Sequence, residues 1–97
     1  MSTGITFPTF NYLLGPEYPV SSWVFSYGFV EYNIERGGSG ERGLLVEYLT
    51  TDAAGKNKRT VCFYPNTTES DYKSMDAASS KGKWVHANIF KAPYREI

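Results

Sequence analysis

A single cysteine, Cys62, in a chain of 97 residues limits the available folds more than any other feature. With no second thiol there is no intramolecular disulfide, the staple on which small secreted domains commonly rely. Packing alone must hold the fold. A chain of this length buries roughly 60–70% of the surface its unfolded form exposes, enough for one compact core and not for two. No run approaches the ~18 apolar residues of a membrane span, because Pro8, Asn11, Pro16 and Pro19 interrupt the N-terminal stretch and the later segments alternate. Met1 to Phe10 has neither a basic n-region nor a continuous apolar h-region, so no signal peptide is expected. The expected compartment is a reducing cytoplasm. Asn66-Thr67-Thr68 fits a glycosylation sequon, but without secretion it reads as a turn leading into a helix.

Residues 1–20, MSTGITFPTFNYLLGPEYPV, hold three prolines, two glycines and no sustained periodicity, and read as an extended arm ahead of a domain spanning 21–97. Ile5, Phe7, Phe10, Tyr12, Leu13, Leu14 and Tyr18 make this arm too apolar for a solvated tail. Either it lies across its own domain and covers an edge or a face, or it packs on a partner through Phe7, Phe10, Tyr12, Leu13 and Leu14. From Ser22 the pattern alternates, with Trp23, Phe25, Tyr27 and Phe29 on one side. After Gly28 the apolar phase passes to Val30 and Tyr32, as a bulge at the glycine would produce. That gives a first strand over about 22–33. The next segment, NIERGGSGERG over 33–43, is a glycine- and charge-rich linker that lacks the Lys-Ser/Thr ending of a P-loop. Leu44, Val46 and Tyr48 face opposite to Leu45, Glu47 and Leu49 in a second strand, and 58–64, KRTVCFY, returns as a third after the turn at 52–57.

Beyond Pro65 the period changes. Thr68 with Asp71 makes a capping-box-like helix start, and Tyr72, Met75, Ala78 and Ser79 form a stripe at spacings of three and four. Gly82 is placed to close that helix in the left-handed region. A second short helix over about 83–91 carries Trp84, Val85, Asn88 and Ile89 on one side and stops before Pro93. The expected class is therefore α+β: a small antiparallel sheet of about three strands, two C-terminal helices packed on one face, and an extended N-terminal arm.

Ten Lys plus Arg balance ten Asp plus Glu, which argues against a generic phosphate-backbone binder. The balance is uneven along the chain: residues 1–52 carry −6 + 2 = −4 and residues 53–97 carry +8 − 4 = +4. Such a dipolar chain suits contact with another protein or head-to-tail self-association, unless the fold mixes the two halves. A Cys62–His86 nucleophile has no spacing argument behind it, and Cys62 between Val61 and Phe63 reads as core. One Cys and one His would need scattered carboxylates to hold zinc, so no metal and no cofactor are expected. The pairs Glu31/Glu35 and Glu69/Asp71 are explained by solvation and capping. An enzyme is not expected. Aromatic residues make up 16% of the chain, enough for a base-stacking platform rimmed by lysines, although a sheet packed under helices needs the same residues.

Several stretches together resemble the KTSC domain: Ser21-Ser22 with Tyr27-Gly28, Leu44 to Tyr48, Val61 to Tyr64, and above all Ala77-Ala78-Ser79-Ser80-Lys81-Gly82-Lys83-Trp84-Val85-His86-Ala87-Asn88-Ile89. That module is named for its place at the C-terminus of some lysyl-tRNA synthetases and also stands alone in bacterial and phage proteins. The family's central Tyr-x-Tyr appears here as Cys62-Phe63-Tyr64, its Val-Pro as Thr67-Thr68, and its late tyrosine as Pro93-Tyr94. The resemblance implies a small antiparallel sheet with two C-terminal helices across one face and no catalytic apparatus. The apolar arm, the net charge of zero and the charge asymmetry point to a non-catalytic binding protein that works by protein contact or self-association, a phage-type assembly component or an inhibitor of a host factor, in host cytoplasm or virion. The alternative is an RNA- or single-stranded-DNA-binding module using a basic corner at the start of the last helix, Ser80, Lys81, Lys83 and His86 with Lys91. The same corner also reads as a simple turn between helices, with His86 bonded to a loop carbonyl.

Overall fold

The computed structural model of the chain describes residues 9–33 and 41–97. Its elements are β1 (Thr9–Glu17), β2 (Val24–Asn33), β3 (Glu41–Thr51), β4 (Asn57–Tyr64), α1 (Glu69–Ala77), α2 (Lys81–Asn88) and β5 (Arg95–Glu96). All five strands form one antiparallel sheet in the order β1-β2-β3-β4-β5. The expectation of about three strands is thus overturned, and the chain is mostly sheet, α+β only in a loose sense. Two segments account for the difference: the arm supplies β1, and two residues near the C-terminus close on β4 as β5. Residues 34–40 of the glycine-rich linker lie outside the described residues.

The periodicity of β1 is hidden by two irregularities in its pairing with β2, one between Tyr12 and Leu14 and one between Leu14 and Glu17. The first moves Leu14 to the helix side, against the main core, while Phe10 and Tyr12 stay on the other face with Val30, Tyr32, Leu45, Phe63 and Val61. An inserted residue reverses the side chains that follow it, so no single alternation spans the segment. Gly28 explains how Tyr12 lies so close to β2, since a Cβ there would stand 2.5 Å from the Tyr12 ring.

In β2 the expected bulge is displaced. Pairing with β3 runs without a break from Ser26 through Gly28 to Tyr32, and the irregularity falls between Val24 and Ser26. Phe25 therefore leaves the side it was expected to share with Tyr27 and Phe29 and lies under the Arg59 guanidinium, 4.2 Å from its ring centre. Val30 and Tyr32 need no bulge at glycine, because the outer face has an apolar cluster of its own.

Both helices lie on one face. Tyr72 and Met75 of α1 and Trp84, Val85 and Ile89 at α2 meet Val24, Phe29, Leu44, Val46 and Tyr64 of the sheet. Each such side chain contributes about 1.5–3 kcal/mol on leaving water. The capping box forms as read, Thr68 accepting from Asp71 N–H and donating its own N–H to the Asp71 carboxylate. Two tyrosines fasten α1 to the first two strands: Tyr27 of β2 donates to Asp76 at 2.7 Å and Tyr72 donates to Glu17 of β1 at 3.1 Å. Gly82 does not close α1. It is the second residue of α2, buried, where a Cβ would overlap the Trp23 indole nitrogen. The last carbonyls of α1 are met instead by the Lys81 ammonium, which donates to Asp76 O and Ala78 O. Among the described residues no helix is long and apolar enough to cross a membrane.

Candidate functional site

The helices, of nine and eight residues, are each about 13 Å long at ~1.5 Å per residue, whereas the eleven residues of β3 extend for about 36 Å at ~3.3 Å per residue. They cannot cover the whole face. Past the reach of α2 the helix side of β3 and β4 opens into a cleft of about 330 Å³ lined by Trp23, Tyr48, Thr50, Thr60, Cys62, Tyr64, Phe90 and Tyr94. Trp23 stacks on Tyr48 with ring centres 5.2 Å apart and planes within 12°. It is held there from two sides, by Leu49 N–H donating to Trp23 O at 2.7 Å and by Ser21 Oγ accepting from Trp23 and Val24 N–H. Phe90 and Tyr94 hang from the connection between α2 and β5, each 55% exposed. None of the lining residues is charged.

Two hydroxyl pairs add polarity. Tyr48 and Tyr64 bond to each other at 2.7 Å, and Thr50 and Thr60 at 3.1 Å. Burial, and next the bond to its partner, raises Tyr48 far above its ordinary pKa. Burial likewise pushes Tyr64 up to about 12, against an opposing contribution from the bond to Tyr48. Burial also raises the Cys62 thiol, with Glu96 adding to the effect. A thiol raised in this way stays protonated at neutral pH and is a poor nucleophile.

Of the arm residues, Phe7 lies outside the described residues. Phe10 and Tyr12 pack edge to face on the outer side of the sheet and Leu14 packs on the helix side, so all three are engaged within the chain. Leu13 keeps a large exposed surface, at 43%, and further along the arm Tyr18 and Val20 are exposed as well. The basic corner is gathered in part: Ser80, Lys81, Lys83 and His86 line a second concavity of about 330 Å³ with Val20 to Trp23, while Lys91 stands apart from it. Inside that corner Ser80 caps α2 by accepting from Lys83 N–H, Lys81 is bonded to the end of α1, and His86 lies between Trp23 and Phe90 at 5.2 and 4.5 Å. No loop carbonyl receives the His86 ring among the described residues.

Two ion pairs join the oppositely charged halves. Arg95 pairs with Glu41, and Arg59 pairs with Glu47 at 3.6 Å. No group of three potential metal ligands is found among the described residues. The cleft itself was only half visible in the sequence. Cys62 reads as core, Tyr48 and Tyr64 read only as strand residues, and Thr50 and Thr60 carry no distinct signal. Phe90 and Tyr94, large apolar residues off the α2 stripe with no assigned packing, were the available hint. No family model, curated protein or solved structure matches the chain.

Proposed function

We propose that the protein is a non-catalytic binding module that works by protein contact, and that the aromatic cleft makes that contact. The observation that carries the reading is the exposure of Phe90 and Tyr94 at the rim of an uncharged, aromatic-walled concavity. Aromatic anchors and depleted charge mark the centres of protein interfaces, where a few such residues supply most of the affinity. The arm is the weaker surface, because Phe10, Tyr12 and Leu14 are already packed and the irregular half of β1 is a poor template for an added strand. The resemblance to the KTSC domain adds support: Cys62 and Tyr64, the ends of the triplet that stands for its Tyr-x-Tyr, both line the cleft. A phage-type assembly component or an inhibitor of a host factor would use such a surface.

Selection from a displayed random-peptide library tests this without a known partner. Peptides enriched on the wild-type protein are expected to lose binding to a Phe90→Ala/Tyr94→Ala variant. Enrichment that survives in the variant, or no enrichment at all, removes the reading.

One observation favours nucleic acid as a second reading, the grouping of Ser80, Lys81, Lys83 and His86 about one concavity at the start of α2. It predicts single-stranded RNA binding that weakens steeply with salt and weakens further in Lys83→Ala. Lys83 is the informative position, since Lys81→Ala would also strip the end of α1. Binding that is absent, or indifferent to salt and to Lys83, rules it out.

A further inference from the structure

The hydrogens in the cleft do not balance. Tyr48 and Tyr64 carry two hydroxyl hydrogens between them and share one bond, and among the described residues neither oxygen has another partner. One of the two O–H hydrogens is therefore not taken by any other group among the described residues, and both tyrosines line the cleft. The threonine pair is in the opposite condition. Thr50 Oγ1 donates to Lys58 O at 3.1 Å, so the bond between the two hydroxyls must run from Thr60 to Thr50. Both hydrogens are then used, and what the threonines still offer is lone pairs. The cleft thus presents one donor, acceptor oxygens and flat apolar walls, with no charge.

We propose that it receives the phenol side chain of a tyrosine presented by a protein partner, an assignment that rests on reading the cleft as the contact site. The ring lies against Trp23 and Tyr94, the phenol oxygen accepts the undonated hydrogen of the Tyr48–Tyr64 pair, and the phenol hydrogen goes to a threonine oxygen. A phenylalanine ring meets the same walls but leaves the buried donor unpaired. An indole N–H donates and cannot accept. A phosphorylated tyrosine brings a dianion to a site lined by no Lys or Arg, and a nucleotide base brings its phosphate with it.

Titration of N-acetyl-L-tyrosinamide and N-acetyl-L-phenylalaninamide, followed by NMR at the Trp23 and Tyr94 resonances, tests the assignment. On the wild-type protein the tyrosine amide is expected to bind roughly tenfold more tightly. In Tyr48→Phe/Tyr64→Phe that preference falls to about one. The double change removes both partners of a buried bond and keeps their shape, so the fold should persist. Thr60→Val, at a half-buried position, is a second variant that lowers the preference independently. Equal affinities on the wild-type protein, a preference kept in the double variant, no saturable shift, or the same shifts from a single-stranded RNA octamer but not from the tyrosine amide each overturn the assignment. Selected peptides that depend on Phe90 and Tyr94 yet lack tyrosine overturn it too, while leaving protein contact standing.

Discussion

A Thr67→Val variant is expected to lose about 3 kcal/mol of stability, a fall of about 15 °C in melting temperature. Leu44 and Tyr64 stand opposite each other at the end of the β3–β4 ladder, but the Thr67 hydroxyl lies between their backbone groups. It accepts from Leu44 N–H at 2.7 Å and donates to Tyr64 O at 2.6 Å, with all three groups buried. Valine has nearly the same shape and no hydroxyl, so a buried donor and a buried acceptor lose their partners together. Cavity formation plays little part. Thr67→Ser keeps the relay and gives up one methyl, which is expected to cost about 1 kcal/mol. Thermal melts of the two variants decide between these accounts: equal losses for serine and valine would show that methyl packing, not the hydroxyl, fixes this junction.

Thr67 also shows where sequence reasoning stops. Thr68 with Asp71 was legible because both partners of a capping box lie within one helical turn. The alternation of Leu44, Val46 and Tyr48 was legible for the same reason, one face following from a local period of two. Thr67 answers to Leu44, 23 residues away, and nothing local distinguishes it from any other turn threonine. Gly82 was misread by the same logic. A glycine after a helix suggests a closing residue, but here the cause is the Trp23 indole arriving from another part of the chain. In β1 the failure was of another kind, since two irregularities within nine residues break the period on which strand recognition depends. The cleft required all of these at once, with helices too short for the sheet, Trp23 fixed from β3, and two hydroxyl pairs set by cross-strand register.

Alkaline unfolding is the largest effect expected of the intact protein. Five tyrosines, Tyr12, Tyr27, Tyr48, Tyr64 and Tyr72, are raised above their ordinary value of 10.0, each chiefly by burial. Tyr64 and Tyr72 are both pushed up to about 12. For Tyr27 and Tyr72 the bonds to Asp76 and Glu17 add to burial, because ionisation would set a phenolate against a carboxylate. Folding therefore favours the neutral phenol. The stability this contributes is fully present below about pH 10 and is lost as pH rises through the raised values. Each such group removes at most about 1.4 kcal/mol per pH unit over that interval, less where water screens it, so several acting together cancel a large part of the roughly 5 kcal/mol at the lower end of what a small domain has. The fold should be level from neutrality to about pH 9 and collapse between about pH 11 and 12, with tyrosinate absorbance and the loss of far-UV circular dichroism rising together. Removing both hydroxyls in Tyr48→Phe/Tyr64→Phe should move the midpoint upward. Tyrosinate absorbance complete near pH 10 in a chain that keeps its circular dichroism would mean that these hydroxyls are open to water, and the donor assigned to the cleft would fall with them.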